Sequence, residues 1–480
     1  MAFKGDAEGL RIYGAEIAKQ QPNRSYAADL LDLASYLVEC DFEGAEAKIE
    51  TLKFKYQESD FRPQVRSTSN LIKIHIDFSY GRFEELEKRA REEIADFYES
   101  KSALEIIDIL QIFRILAHKH LILNEYSHLN QVALEVDKVK TEGNDQEFYL
   151  KNSIQMMLKS ANGEHRAAIE LAKINLSIAK KNEYTGIFHP FDSQYIKSIS
   201  LLSMASTNEA LHEFEILRNS SKNFSHWPWY FLAHGNLVRN MAINSEFAKA
   251  LSLIREERDL ILSFNFRNSL SFLSDANELF VRYLMKDIDR IEILVNRLPD
   301  LILVRQIKAL KDEWGGKDML VWINDLPEAT AREKIYKLTA LADYYGDRET
   351  LSLKYMKKSL LLIEETGSIE FLLRQHKLFD IIAKAAAEIN SPFMEEIIKR
   401  VSERVRVSAG LNSGGLPTPL TARELEVVRH LSTGKPISSI SASLHVSMNT
   451  MKTHLRNIYR KLEVDNREKA VEKATELFLI

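Results

Sequence analysis

Short polar turns recur along the first part of the chain, and each opens a helix-like pattern of apolar positions. The recurring pairs, three residues apart, are Phe42/Ala45, Phe83/Leu86, Tyr126/Leu129, His165/Ala168, Thr207/Ala210, Phe247/Ala250 and Ile288/Ile291. Successive pairs begin about 41 residues apart. Residues three apart share one face of a helix, so each pair predicts a helix that starts directly after a turn. The spacing therefore predicts a series of antiparallel helix pairs.

The turn pattern resembles tetratricopeptide repeats, with the repeat lengthened from about 34 residues to about 41. This resemblance implies an all-α fold in which residues 1–407 form an α-solenoid that acts as a sensor or interaction domain. A further turn is predicted at 340–348, and the longer gap after Ile288 predicts one or two inserted helices, with bends at Gly315, Gly316 and Pro327.

Composition agrees with a helical, soluble protein. Apolar residues make up 45% of the chain and charged residues 28%, with only 17 Gly and 10 Pro. That balance argues against disorder and against a membrane protein. The first residues lack the apolar run of a signal peptide, so a cytoplasmic location is expected. The lone Cys40 excludes an internal disulfide and is expected to be a small residue that packs against helices, in the turn before Phe42.

The end of the chain has a different pattern. Residues 408–419 are rich in Gly, Ser and Pro, carry no charge, and predict a flexible linker. Residues 420–480 then predict four helices, of which the first is capped by Thr421 with Glu424 reaching back. Gly434 is expected to end that helix, and a short second helix is expected over 436–444. The fourth should begin near Asn466.

The third helix of this domain carries the candidate chemistry. Ser447 is placed to cap it, and its apolar positions share one side: Met448, Met451, Leu455, Ile458 and Leu462. The opposite side is polar: Asn449, Thr450, Lys452, Thr453, Arg456, Asn457 and Arg460. Four basic residues and no acid lie in 447–462, within a chain of net charge -4. Such a face suits the major groove of double-stranded DNA.

These residues resemble the LuxR/FixJ-type DNA-binding domain, through Leu420-Thr-x-Arg-Glu-x-Glu-Val427, Gly434 and the run from Thr450 to Leu462. The resemblance implies that the third helix reads bases with Lys452, Thr453 and Arg456, beside Asn449. It implies phosphate contacts from Thr450, Arg460 and Lys461, next to Ser447, and a dimer surface on the fourth helix. Pro436 departs from the family, which usually has Ser or Thr at that position.

Three other features of the chain bear on possible binding or catalytic chemistry. The aromatic residues of segment 224–230, namely Phe224, Trp227, Trp229 and Tyr230, either stack on a ligand in the concave surface or pack between repeats. His118 and His120 are two apart on a helix, point to different sides, and predict no metal pair. No hydrolase, metalloprotease or phosphate-loop motif is present, so neither an enzyme nor a cofactor is predicted. The array also resembles the C-terminal half of maltose-regulon-activator-like regulators, without their nucleotide-binding module.

The sequence therefore predicts a bacterial, sequence-specific transcription regulator. Its predicted partners are promoter DNA, a second copy on DNA, RNA polymerase, and an unidentified small-molecule or protein effector that binds the solenoid and gates DNA binding. The alternative is a protein-interaction scaffold of a signalling pathway, in which the DNA-binding domain is a tether.

Overall fold

A computed structural model shows the architecture of the 480-residue chain. It describes residues 6–21, 24–224, 226–244, 246–263, 270–285, 287–298, 304, 318–369, 372, 378–408, 422–432, 435–444, 446–462 and 464–476. Every regular element within these ranges is a helix. The predicted all-α class is confirmed.

The helical array begins with fifteen α-helices. They are α1 (Ala7–Gln20), α2 (Ser25–Val38), α3 (Phe42–Lys55), α4 (Arg62–Tyr80), α5 (Phe83–Tyr98), α6 (Ile106–Ile122), α7 (Tyr126–Asp137), α8 (Asp145–Ala161), α9 (His165–Lys181), α10 (Phe191–Ser203), α11 (Thr207–Asn223), α12 (Trp227–Ile243), α13 (Phe247–Ser263), α14 (Ser271–Met285) and α15 (Ile288–Arg297). A short 3-10 turn, Gly186–Phe188, precedes α10.

The seven predicted repeat positions are the first residues of the odd-numbered helices α3 to α15. Three residues into these helices, Ala45, Leu86, Leu129, Ala168, Ala210 and Ala250 are fully buried, while Ile291 is half-buried. These positions face the neighbouring helix. A small or apolar side chain there allows the two helices to pack closely. The predicted solenoid of helix pairs is thus present.

A left-handed residue lies two positions before the helix at five of these turns. These residues are Cys40, Gly81, Asn124, Gly163 and Ala205, with φ between 57° and 81°. Glycine and asparagine favour this conformation, whereas cysteine and alanine adopt it at a cost. Cys40 therefore lies in the turn that the sequence predicts directly before α3. Its Sγ lies 3.2 Å from the Phe224 carbonyl oxygen, and burial raises its pKa to about 11.

The even-numbered helices meet at the inside of the array, where the chain closes on itself. Helix α4 contacts α12, about 150 residues later in the sequence. Phe78 of α4 lies 6.4 Å from Trp229 of α12, measured between ring centroids. A single hydrophobic core runs from Leu33 to Leu270. We call the contact between α4 and α12 the seam. The inner surface around it is consequently filled by the protein's own side chains.

The described residues that follow contain five more helices: α16 (Asp318–Asn324), α17 (Ala331–Tyr344), α18 (Glu349–Thr366), α19 (Phe379–Ile389) and α20 (Pro392–Ser408). The turn predicted at 340–348 separates α17 from α18. Helices α17 to α20 share a second core, which also touches Ala205. His165 Nε2 lies 3.0 Å from Ser368 Oγ, so this part of the chain folds back onto the earlier repeats.

Several predicted breaks fall where no structure is described. Gly315, Gly316 and residues 409–419 of the predicted linker lie outside the described ranges, and α20 continues to Ser408. Pro327 lies between α16 and α17, as its predicted role in a bend requires. Of the helices that can be described, none is long and apolar enough to cross a lipid bilayer.

Candidate nucleic-acid interface

Four helices form the last part of the structure: α21 (Ala422–Ser432), α22 (Ile437–Ser443), α23 (Met448–Leu462) and α24 (Arg467–Glu476). They enclose their own hydrophobic core, separate from those of the array. Its fully buried members include Val427, Ile440, Met451, Ile458 and Ala470. The core fixes how α23 is presented, because α23 packs against all three of the other helices or their connections.

The apolar side of α23 is buried largely as predicted. Met451, Leu455, Ile458 and Leu462 lie in the core. Met448 is the exception, since 42% of its surface is exposed. It lies at the first turn, at the edge of the buried stripe, where Ser441 Oγ approaches its sulfur at 3.2 Å. The prediction that Met448 is part of the core was therefore wrong.

The opposite side of α23 is exposed and polar. Asn449, Lys452, Thr453, Arg456 and Arg460 are all exposed. At 100° per residue they fall within about 100° of helix surface, centred opposite the buried stripe, and span about 16 Å along the axis. The ion pairs of the described part of this domain, Arg423–Glu426, Lys461–Glu424 and Lys469–Asp465, do not include Lys452, Arg456 or Arg460. We refer to these five residues as the polar face of α23.

The start of α23 is capped as the sequence predicts. Ser447 Oγ accepts a hydrogen bond from the Thr450 amide at 3.1 Å and lies 2.8 Å from the Thr450 hydroxyl. Both residues are exposed. The Thr453 hydroxyl donates back to the Asn449 carbonyl at 3.0 Å, which leaves its methyl group on the polar face. An exposed, capped helix start of this kind presents amides and hydroxyls to an anion.

Lys461, a phosphate contact by the resemblance, lies away from the polar face of α23. Its ammonium binds the carboxylate of Glu424 on α21 at 2.7 Å, and the two side chains are only 11% and 4% exposed. On the helix, Lys461 is turned by about 120° from Asn449, toward α21. Glu424 therefore joins α21 to α23. Thr421, the predicted cap of α21, lies outside the described ranges. We exclude Lys461 from the phosphate contacts proposed below.

A Lys461→Met variant should lose about 2 kcal/mol of domain stability, because it leaves the buried Glu424 carboxylate without its cation. All four tryptophans precede this domain, so hydrogen exchange of α23 peptides is the suitable measurement. Exchange there should become about 30-fold faster. A Glu424→Leu/Lys461→Met double variant should recover most of the loss. If the Lys461→Met variant instead showed unchanged hydrogen exchange and a smaller salt dependence of DNA binding than the wild type, Lys461 would be a phosphate contact.

Sequence reasoning missed Arg467, which holds the domain together from the start of α24. Its guanidinium donates to the Leu431 carbonyl at 2.6 Å and to the Lys435 carbonyl at 2.7 Å. It thereby satisfies the Leu431 carbonyl, which has no partner within α21, and ties α24 to the connection that follows α21. Asn466 caps α24 through the Lys469 amide at 2.8 Å, at the predicted start of that helix.

Pro436, the departure from the family pattern, stands directly before α22 and makes no side-chain cap. The helix still forms, over seven residues, with Ile440 fully buried and Leu444 nearly so. A proline at a helix start has a suitable φ and needs no partner for an amide it lacks. Gly434 lies outside the described ranges.

The aromatic residues of segment 224–230 are interior. Trp227, Trp229 and Tyr230 are at most 6% exposed, and Phe224 is half-buried. Trp229 packs against His118 at 4.9 Å and Tyr195 at 5.7 Å, between ring centroids. Of the two interpretations of this segment, the structure supports packing between repeats.

Comparison with known proteins agrees with this geometry. Residues 418–474 match the model of the "Bacterial regulatory proteins, luxR family". The response regulator protein VraR of Staphylococcus epidermidis is 28% identical over 176 residues, which cover 36% of this chain and 72% of VraR. The transcriptional regulatory protein LiaR of Bacillus subtilis is 35% identical over 109 residues, covering 22% of this chain and 50% of LiaR.

A third relative is the HTH-type transcriptional regulator MalT of Vibrio cholerae. It is 31% identical over 113 residues, which cover 24% of this chain and 12% of MalT. The four C-terminal helices, with the exposed polar face of α23, therefore form a LuxR-family helix-turn-helix domain. The chain thus combines the DNA-binding domain of a transcription regulator with a helical array ahead of it.

Proposed function

We propose that α23 lies in the major groove of promoter DNA and reads its sequence with the polar face. The observation that carries this proposal is the exposure of Asn449, Lys452, Thr453 and Arg456 on one side of a helix whose other side is fixed in the core. Lysine and arginine reach guanine O6 and N7, asparagine pairs with adenine, and a threonine methyl contacts thymine.

The flanking groups suit phosphate. Arg460 lies at the far end of the polar face, while Ser447 and Thr450 stand at the exposed helix start. Contacts of this kind orient a protein on the duplex without reading sequence. Each phosphate that is neutralised releases counterions, so the measured affinity should fall steeply with salt concentration.

The protein acts as a homodimer on DNA, with two copies of α23 about one helical turn, ~34 Å, apart on a two-fold operator. Helix α24 supplies the dimer surface. RNA polymerase is a further partner at the promoter. The helical array controls DNA binding by this dimer in response to a small molecule or protein that binds the array. Because the seam between α4 and α12 is buried, such an effector binds elsewhere on the array or opens the seam.

Substitutions on α23 test the reading of bases. Lys452→Ala or Arg456→Ala should reduce discrimination between operator and random DNA about 10-fold or more, the effect of losing 1–3 kcal/mol at one base. Arg460→Ala should weaken both DNAs alike. Operators are first selected from genomic fragments with the purified full-length protein, and affinities are then measured by fluorescence anisotropy at fixed salt.

All of these side chains are exposed, so the variants should fold like the wild type. His212→Ala, on the exposed surface of α11, is the control for surface substitution. An equal loss on operator and random DNA for all three substitutions would remove the base-reading role. A protein that captures a partner but selects no DNA fragment would favour the scaffold function instead.

A further inference from the structure

A cluster of two histidines and a glutamate lies at the turn between α6 and α7, away from the DNA-binding domain. One ligand atom each of His120, Glu125 and His128 lies within 4.8 Å of the other two. His120 is at the end of α6 and almost fully buried, whereas His128 is exposed on α7. His118, the other histidine of α6, faces Asp192 instead. The second histidine of the cluster is therefore His128, which the sequence spacing did not suggest.

The backbone holds these side chains together. Asn124, in the left-handed conformation, reverses the chain between the two helices. The Glu125 amide donates to the His120 carbonyl at 2.8 Å, and the Leu129 amide donates to the Glu125 carbonyl at 3.0 Å. The turn thus fixes the base of each side chain before any ligand binds. The imidazole rings of His120 and His128 lie nearly parallel, 5.2 Å apart.

The buried histidine has an unused nitrogen. Nδ1 of His120 lies 2.7 Å from Glu125 Oε2, whereas Nε2 is buried, lies 3.9 Å from Glu87 Oε1 and has no hydrogen-bond partner in the part of the chain that the structure describes. A buried imidazole nitrogen without a partner is costly. A metal ion on Nδ1, next to Glu125, would leave Nε2–H facing the Glu87 carboxylate, which is the usual arrangement of a metal-binding histidine.

The carboxylate is ionised. Burial alone would raise the pKa of Glu125, but the hydrogen bonds from His120 and Lys119 lower it to about 2. Lys119 Nζ lies 2.7 Å from Glu125 Oε2 and 2.6 Å from Oε2 of Glu87. The Lys119 ammonium also lies 3.4 Å from His120 Nδ1, so a metal ion bound between these ligands displaces it from Glu125.

We propose that His120, Glu125 and His128 bind a divalent transition-metal ion, with Zn²⁺ as the best match. Two imidazoles and one carboxylate form a donor set typical of zinc, with the fourth position open to water or an exogenous ligand. Tetrahedral binding needs ligand atoms roughly 3.3 Å apart, so modest side-chain rotation closes the site. The metal links the end of α6 to the start of α7 and lies in the array that precedes the DNA-binding domain.

The test is a titration of the full-length protein with Zn²⁺ against a chromophoric chelator. The wild type should bind one ion through this cluster. His128→Ala should lose at least 10-fold in affinity, and it should fold normally because His128 is exposed. Glu125→Gln should also weaken binding, whereas His212→Ala, which removes an exposed histidine on α11, should not. Co²⁺ absorption in the visible range gives a second readout of tetrahedral nitrogen and oxygen ligands.

Two results would overturn the site. One is the absence of stoichiometric Zn²⁺ binding by the wild type, and the other is equal affinity in the wild type and the His128→Ala variant. Neither result bears on DNA binding, so the test is independent of the role proposed for α23.

Discussion

An Asp192→Ala variant should lose about 3–5 kcal/mol of the unfolding free energy of the array, the usual cost of removing one partner of a buried ion pair. Asp192 is fully buried, and its Oδ2 accepts from Arg114 Nε at 2.8 Å and lies 3.1 Å from His118 Nε2. Burial alone would raise the pKa of Asp192, but the Arg114 charge and the His118 hydrogen bond hold it well below its usual range.

The loss should be large because this pair joins several inner helices. Asp192 is on α10, and Arg114 and His118 are on α6. The Arg114 guanidinium also donates to the Tyr149 hydroxyl on α8 at 3.1 Å, and that hydroxyl donates to the Phe188 carbonyl at 3.2 Å. Without Asp192, the buried guanidinium keeps its desolvation cost and loses its counter-charge.

Urea unfolding followed by tryptophan fluorescence measures this loss, since Trp229 lies against His118. Glu170→Ala removes a carboxylate from an exposed ion pair with Lys173 and should leave the transition unchanged. An Arg114→Met/Asp192→Leu double variant should recover much of the stability, because no buried charge remains. If the double variant were as unstable as the single one, packing at this site, and not charge, would be the cause.

The repeat pattern could be predicted from the sequence because local rules govern it. Gly81, Gly163 and Asn124 are residues that favour a left-handed turn, and the inward position of the next helix is small or apolar in each case. Cys40 and Ala205 occupy the same turn position without any such signal. There the turn is predicted by the 41-residue spacing and, after Cys40, by Asp41 at the start of the helix.

What the sequence could not predict depends on contacts between distant residues. The periodicity of α23 separates its buried and exposed sides, but the partner of Lys461 is Glu424, 37 residues earlier. Burial of Trp229 likewise results from the closure of α12 on α4. The base-reading roles of Lys452, Thr453, Arg456 and Asn449 stay predictions until DNA binding is measured.

Acid should destabilise the array strongly, because its interior holds neutral histidines. Burial lowers the pKa of His75 and His226 to about 3 and that of His189 to about 4. In the unfolded chain each titrates near 6.5. The unfolded state therefore binds more protons below that value, so stability is fully present above about pH 6.5 and is lost as pH falls toward 4.

Each of these histidines contributes about 1.4 kcal/mol per pH unit within that window. Glu257 acts in the opposite sense, since burial raises its pKa to about 8 and the native state keeps its proton. Glu257 offsets about the contribution of one histidine. The net loss of unfolding free energy should still reach several kcal/mol between pH 6.5 and 4.5.

A His226→Phe variant isolates one of these protons. Neither ring nitrogen of His226 has a hydrogen-bond partner in the described structure, and its ring packs 4.9 Å from that of Phe191, so phenylalanine should fit without losing a polar contact. Urea unfolding at pH 7.5, 6.5, 5.5 and 4.5 should give a pH slope that is smaller by about 1.4 kcal/mol per unit than in the wild type. The same slope in both proteins would mean that His226 becomes solvated before the array unfolds, as it would if the seam between α4 and α12 opened first.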